Sequence, residues 1–249
     1  DRATGITYSH QGNTVSATAT AEVTLSGGSI NSPHLLMLSG VGDADHLGEH
    51  GIEVVADVKG VGQNLSDHTS AALAFRRKSG GPFQKHMRID RVGIALAQAY
   101  IGKGGFASDL PFGITAFLKS SAEAAAPDVQ LLFWMGATTT ASPWLPPFKK
   151  AFADSFSVRA MPMHPSSRGE VKPGSANPGD PLRIHQNFLS SEDEWKVMRR
   201  GLRMIRDLVA SAALKDFAGE ELAPAAAAQS DAELDAHVRK TMTTVHHPV

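Results

Sequence analysis

The stretch GGSINSPHLLMLSGVG, residues 27–42, decides how the rest of the chain is interpreted. A β-rich run, AEVTLS, ends directly before its two glycines. Ser32 and Pro33 suit the N-cap and first position of a helix, because serine accepts an orphan amide hydrogen bond and proline needs no amide partner there. The apolar run HLLML continues the helix, and SGVG ends it with residues that tolerate unusual backbone angles. The pattern predicts a strand, a glycine turn and a capped helix, where backbone can approach a ligand closely.

Composition narrows the classes of function. The 249 residues carry a net charge of −1, so charge gives no indication of nucleic acid or of an anionic membrane as a partner. The absence of cysteine excludes disulfides and thiol catalysis and favours a reducing compartment, so we expect a cytoplasmic, bacterial-type location. No apolar run approaches the roughly 20 residues of a membrane span. Histidine spacing fits neither zinc nor iron ligation, so no metal is expected.

Outward from the glycine stretch, alternating residues predict strands. Residues 4–10 and 14–25 are expected to form a hairpin, and Asp43 to cap a short helix that ends at His50. The run GVGQNLSDH, residues 60–68, is typical of a structured loop. Because little helix separates the later strands, we expect a mostly antiparallel sheet. The predicted strands after this loop are 69–76, 112–119, 128–135, 155–163, 168–172 and 182–188.

Helical spacing predicts three longer helices. The first covers residues 87–103. The second begins at a capping box formed by Ser191 and Glu194 and carries a long apolar stripe. The third begins at a second capping box, Ser230 with Glu233, and continues to about residue 240. Together with the strands, these helices predict the α+β fold class.

Family resemblance becomes specific in residues 28–42, whose pattern is G-S-x-x-S-P-x-L-L-x-x-S-G-V-G. This pattern resembles the second signature of the glucose–methanol–choline (GMC) oxidoreductases, flavoenzymes that bind FAD. Three later runs resemble further blocks of the family, in the same order and at similar spacing. They are GVGQNLSDH at residues 60–68, SRGEVKPGSANPGDPLRIHQNFLS at 167–190 and TTVHHPV at 243–249.

The resemblance implies a domain organisation. Residues 1–68 would be an α/β remnant of the FAD-binding domain. Residues 69–190 would form a substrate domain, with an antiparallel sheet flanked by helices and a lid loop. Residues 191–249 would be a helical region that leads back to the FAD domain.

The resemblance also implies site residues. His247 stands directly before Pro-Val, where the family's histidine faces the flavin, and the adjacent His246 leaves the choice between the two open. An imidazole can accept the alcohol O–H proton near neutral pH while hydride moves to the flavin. Asn64 and Asp67 could instead serve only to satisfy loop backbone. The residues that the resemblance places near FAD are Gly27, Gly28, Ser32, Pro33, Asn64, His68 and Val245.

One feature of the family is missing. No G-x-G-x-x-G phosphate loop follows a strand, the chain opens without methionine, and it stops inside the last block. We therefore expect a fragment at both ends that holds FAD and oxidises a small alcohol only together with the rest of the enzyme. Two alternatives stay open: a family member that works as a hydroxynitrile lyase or decarboxylase, and an isolated binding module without catalysis.

Overall fold

The computed structural model describes residues 2–108, 112–136, 141–225 and 228–248. Within these ranges the helices are α1 (Gly28–Leu38), α2 (Ala44–Glu49), α3 (Pro82–His86), α4 (Ile89–Tyr100), α5 (Glu192–Ala210) and α6 (Asp231–Thr241). The strands are β1 (Gly5–His10), β2 (Asn13–Thr18), β3 (Val41–Gly42), β4 (Ala56–Asp57), β5 (Gln63–Leu65), β6 (Thr69–Arg77), β7 (Phe112–Leu118), β8 (Val129–Met135), β9 (Ser155–Pro162), β10 (Gly169–Lys172), β11 (Arg183–His185), β12 (Ala218–Ala223) and β13 (Thr243–Thr244). The chain divides into two compact units.

The first unit comprises the described parts of residues 1–67, 167–188 and 248–249. It contains the β1–β2 hairpin, the parallel pair β3–β4, and an antiparallel sheet in the order β11–β10–β5. Gly62 lies where two segments approach very closely: Val171 N donates to Gly62 O at 2.6 Å. A Cβ atom at Gly62 would lie 2.2 Å from Val171 O, and its φ is +78°, so only glycine suits this position.

The second unit comprises the described parts of residues 68–166 and 189–247. Its six-stranded sheet has the order β12–β6–β9–β8–β7, and β13 pairs with the start of β6. All these pairings are antiparallel, with Ala160 opposite both Ala71 and Leu131. Side chains alternate between the two faces of such a sheet, so one face can be apolar while the other is polar.

Helix α5 covers the apolar face of this sheet. Gly201 brings the helix close, because a Cβ there would lie 2.9 Å from Ala160 Cβ and 3.0 Å from a methyl group of Val129. The α5 side chains buried in this core are Trp195, Met198, Leu202, Ile205 and Val209. The sheet side chains that meet them include Ala71, Leu73, Val129, Leu131, Val158 and Ala160. Burial of this apolar surface is the main stabilising term of the unit.

The predicted α+β class is confirmed, with mixed helices and strands and mostly antiparallel sheets. One expectation about the sheet is wrong. The strands predicted at 168–172 and 182–188 exist as β10 and β11, but β10 pairs with β5 and β11 pairs with β10, so neither joins the larger sheet. Strand periodicity reports which residues alternate and carries no information about a partner strand far away in the sequence. The predicted domain boundaries stay predictions.

Some element ends differ from the sequence predictions. Helix α1 begins at Gly28 with Gly27 as its N-cap, so Ser32 and Pro33 lie inside it; the Ser32 side chain reaches back to accept from Gly27 N at 2.9 Å. The strand predicted at 14–25 ends at Thr18. Ser191 caps α5 through Asp193 N, so the predicted box with Glu194 is wrong. Strand β12 lies between the last two predicted helices, where no element is predicted from the sequence. None of the helices in the described ranges is long and apolar enough to cross a membrane.

Candidate functional site

The C-terminal residues join the larger sheet beside the start of β6. Thr243 pairs with Ser70 and Thr244 pairs with Thr69. One residue further, Val245 N donates to His68 O at 3.2 Å, which continues the antiparallel pairing. The predicted site residues Val245 and His68 are therefore backbone neighbours, although the sequence separates them widely.

Two imidazole rings meet at this point. His68 Nδ1 lies 3.5 Å from His247 Nε2, and the ring centroids are 4.8 Å apart with an interplanar angle of 81°. His68 Nε2 lies 2.9 Å from Met163 O, a carbonyl that can only accept, so this nitrogen carries the proton. In a neutral His68 ring, Nδ1 is then the acceptor that faces His247 Nε2.

His246 has a different role in the geometry of the tail. Its φ is +64°, a left-handed conformation that is uncommon outside glycine, and its backbone N–H donates to Thr244 Oγ1 at 2.9 Å. This turn carries the chain from the sheet to His247, whose ring contacts His68. Both His246 and His247 are exposed, so an imidazole here can exchange protons with a bound small molecule.

The glycine stretch lies in the first unit. Gly28 has φ +72°, and no atom lies within 4 Å of the position that a Cβ would take. The α1 N-terminus has no side-chain cap on its amides, and Ser29 Oγ donates to Pro248 O at 2.8 Å. An open, glycine-lined helix start with uncapped amides suits an anionic group. Pro33, inside the helix, contributes no amide of its own.

Asn64 also belongs to the first unit, on β5. It is exposed and has φ +68°, a conformation that asparagine tolerates better than most residues. The predicted residues thus fall into two sets. The first unit holds Gly27, Gly28, Ser32, Pro33 and Asn64, and the second unit holds His68, Val245, His246 and His247.

A small cavity of about 180 Å³ lies elsewhere in the second unit. It is lined by Asp128, Pro162, His164, Ser166, Asp193, Glu194 and Val197. Ser166 Oγ donates to Glu194 Oε1 at 3.4 Å, and Ser120 N and Oγ bind Asp128, so these carboxylates serve local structure. Within the described residues, no group of three His, Asp or Glu side chains has the arrangement of a metal site.

Arg159 is the polar residue that the sequence reasoning missed. Its Nη1 donates to Ser70 Oγ at 2.7 Å and to Thr243 Oγ1 at 2.9 Å, one rung of the sheet from the Thr69–Thr244 pair. The sequence alone could have pointed to it, since Arg159 is the one charged residue in the strand SFSVRAMP. Met163 could not have been found, because it acts through its backbone carbonyl.

Comparisons with known proteins agree on one family. The N- and C-terminal models of the GMC oxidoreductase family match residues 1–70 and 165–249. Mitochondrial choline dehydrogenase of Homo sapiens is 37% identical over 250 residues, covering 99% of this chain and 41% of that protein. Oxygen-dependent choline dehydrogenase of Brucella anthropi is 37% identical over 238 residues, covering 92% and 41%.

A solved structure extends the agreement to the fold. A variant of formate oxidase from Aspergillus oryzae, studied for its FAD modification, superposes with a TM-score of 0.82 at 26% identity. It is matched over 100% of this chain and 47% of its own length. The chain thus spans about two fifths of the length of its choline dehydrogenase relatives. With the two family models together matching more than half of its residues, the chain belongs to the GMC oxidoreductase family.

Proposed function

We propose that this chain is part of a longer enzyme that oxidises a primary alcohol to an aldehyde with FAD. The observation that carries the proposal is the 37% identity to choline dehydrogenase over 99% of the chain. The paired imidazoles at the start of β6 support it, because alcohol oxidation needs a group that accepts the O–H proton near neutral pH. FAD, when bound, would supply the acceptor for the hydride.

His247 is the proposed base and His68 the residue that holds its ring. Because His68 Nε2–H donates to Met163 O, His68 Nδ1 can accept from His247 Nε2–H at 3.5 Å. The proton of the alcohol would then go to His247 Nδ1, and the resulting imidazolium would keep its hydrogen bond to neutral His68. The direct ring contact favours His247 over His246 for this role.

The cofactor contacts are assigned by the same proposal. The open backbone at Gly28, next to Gly27 and to helix amides without a side-chain cap, would suit an anionic part of FAD. Ser32 would hold the shape of this turn through its hydrogen bond to Gly27 N, and Pro33 lies beside Ser32 inside α1. Asn64, His68 and Val245 are the remaining proposed contacts.

The proposed partners are a small alcohol and the rest of the same enzyme. Relatives more than twice as long support the second partner, since this chain covers 41% of them. The cytoplasmic location is likewise a proposal; it is supported by the absence of cysteine.

Anaerobic flavin reduction tests the proposed function. The full-length enzyme would be purified, and its absorbance spectrum followed while choline, 1-butanol and 4-hydroxybutanoate are added separately without oxygen. We expect at least one alcohol to bleach the oxidised flavin bands, and His247→Ala to slow the bleaching strongly. If none of a broad set of alcohols bleaches the flavin, the lyase, decarboxylase or non-catalytic alternatives replace this proposal.

A further inference from the structure

Arg159 lies on the face of the larger sheet that α5 does not cover. Its neighbours Val158 and Ala160 are fully buried in the core with α5. Alternation along β9 therefore turns Arg159 to the opposite face, where it is partly exposed. Arg159 stands opposite Ala72 in the register of β9 with β6, so it shares this face with Ala72 and Ser70.

The head group of Arg159 is held by neutral groups. Nη1 donates to the hydroxyls of Ser70 and Thr243, and the guanidinium lies 6.0 Å from the centroid of the Trp134 ring. Among the residues that the structure describes, no carboxylate oxygen lies within 4.0 Å of it. A guanidinium has five N–H donors in a planar fork that matches a carboxylate, so two hydroxyl contacts through one nitrogen leave donors for an anion.

Partial burial disfavours the positive charge of Arg159. Burial lowers the pKa of Arg159 from its ordinary value, with no acidic neighbour acting in the opposite direction. The guanidinium nevertheless stays charged near neutral pH. A half-buried cation without a counterion would gain most from an anion that arrives with a ligand.

The guanidinium is close to the imidazole pair. His68 lies directly before β6 and continues its antiparallel pairing by accepting from Val245 N, so His68 and Ser70, two residues apart, lie on the same side with a separation of roughly 7 Å. Arg159 Nη1 lies 2.7 Å from Ser70 Oγ, and His247 contacts His68. A molecule with its hydroxyl at His247 would thus reach Arg159 with a group only a few bonds away.

We propose that Arg159 binds the carboxylate of a short hydroxy acid, and so selects anionic alcohols as substrates of the site that contains His68 and His247. The inference rests on the proposed function and names its substrate class. With FAD bound as the hydride acceptor, the carbinol carbon would lose a hydride and its O–H proton would go to His247, so that the hydroxy acid becomes an aldehyde acid. The same charge disfavours choline, a cation, although the choline dehydrogenases are relatives.

Substrate preference of the full-length enzyme tests this selection. The specificity ratio is kcat/KM for 4-hydroxybutanoate divided by kcat/KM for 1-butanol, which has the same carbon chain without the charge. We expect a ratio above about 10 for the natural enzyme, and a fall of roughly 10-fold to 100-fold in Arg159→Met, because a charge-assisted bidentate contact is lost. Arg159→Lys should lie between the two, since it keeps the charge without the planar fork.

Two controls separate charge selection from misfolding. Arg76→Met removes an arginine on the same face of β6 that already pairs with Glu220 at 2.7 Å, and it should leave the ratio unchanged. Thermal unfolding of every variant shows whether the fold is kept. Binding of butanoate, a carboxylate that cannot be oxidised, is measured by calorimetry and should weaken in Arg159→Met but not in Arg76→Met.

The outcomes distinguish this inference from the proposed function. If alcohols are oxidised but the ratio and butanoate binding do not respond to Arg159→Met in a folded enzyme, the selection is wrong and the proposed function stands. If no alcohol is oxidised while butanoate binding still depends on Arg159, the proposed oxidation is wrong and the anion site stands. A natural enzyme that prefers choline or 1-butanol over 4-hydroxybutanoate also overturns the selection.

Discussion

The two faces of the six-stranded sheet differ in almost every property. One face packs Leu73, Leu131 and Val158 against α5, and all three are fully buried. The other face carries Ser70 and Arg159, which are hydrogen-bonded to each other. His68, directly before β6, contacts the ring of His247 and the carbonyl of Met163. The same strands supply both faces, because successive residues point to opposite sides. A single sheet thus carries on one face the apolar core, which contributes most to the free energy of unfolding, and on the other face the proposed catalytic residues.

The largest expected effect is on the polar face. His247→Ala in the full-length enzyme should lower kcat for alcohol oxidation by between about 100-fold and 10,000-fold, since it removes the proposed general base. Stopped-flow flavin reduction measures the chemical step directly, and the melting temperature should change little because His247 is exposed. His246→Ala is the competing variant; a larger loss there would move the catalytic role to His246.

The next effect belongs to the apolar face. Leu202, on α5, is completely buried against the sheet, so Leu202→Ala should lower the free energy of unfolding by about 2–5 kcal/mol. Below the unfolding transition kcat/KM should stay near that of the natural enzyme. Leu222→Ala, at a leucine that is 39% exposed, is the matched control and should change stability by less than about 0.5 kcal/mol. A large loss of kcat in folded Leu202→Ala would contradict the separation of the two faces.

A smaller effect tests how His68 acts on His247. Glutamine places its amide where Nε2 was and keeps the donor to Met163 O, whereas asparagine places it where Nδ1 was and keeps the acceptor toward His247. We expect His68→Gln to lower kcat by about 10-fold and His68→Asn by less. Nitrogen NMR shifts of His247 report its tautomer independently of turnover, and they should change more in His68→Gln.

His237 provides the control for a purely structural histidine. Its Nε2 lies 2.8 Å from the carbonyl oxygen of Ala72 on β6. This is the kind of contact that His68 Nε2 makes with Met163 O. His237→Gln should lower the melting temperature and leave kcat and the His247 signals unchanged. Equal effects of the two substitutions on kcat would mean that His68 only supports the fold.

The smallest effect lies outside the sheet, at the start of α6. Ser230 accepts from Glu233 N, and the Glu233 side chain accepts from Ser230 N, so Ser230→Ala should destabilise the protein by about 1 kcal/mol. The Ser230 side chain also lowers the pKa of Glu233. A carboxyl group whose folded-state pKa is lowered stabilises the fold above its ordinary pKa, and this contribution is lost as pH falls through the lowered value.

The pH dependence follows from that sign. Glu233→Gln should lower the melting temperature at pH 7, and the difference from the natural protein should shrink as the pH falls below the ordinary range of glutamate. Thermal unfolding followed by circular dichroism at several pH values measures it. A difference that grows at low pH would show that the carboxylate does not stabilise α6.

Local patterns predicted the apolar face well. The stripe of α5 and the strand at 69–76 could be read from periodicity, because burial imposes a fixed spacing on each element. The Ser230–Glu233 capping box was also predicted, since both of its bonds form within four residues. The start of α1 was missed: proline favours the first helical position, but Pro33 is the sixth residue of α1 and lies inside the helix.

The polar face depends on contacts that no local pattern contains. His68 and His247 came from resemblance to a family, while their direct contact and the bond from His68 to Met163 O required the assembled sheet. In the sequence, Arg159 looks like an ordinary outward-facing residue of an alternating strand. Its hydrogen bonds to Ser70 and Thr243 form only when distant parts of the chain meet in the folded sheet. The pairing of β10 with β5 was missed for the same reason, because the two strands are about a hundred residues apart.

The imidazole pair joins residues that are 179 positions apart. Contacts of such long range form slowly, because the loop between them must close before any bond stabilises the closure. In folding, the strands between the two histidines can pair with near neighbours first, and β13 adds to β6 only when its partner strand already exists. The proposed catalytic pair, His68 and His247, is therefore expected to form late in folding, after the other strands of this sheet have paired.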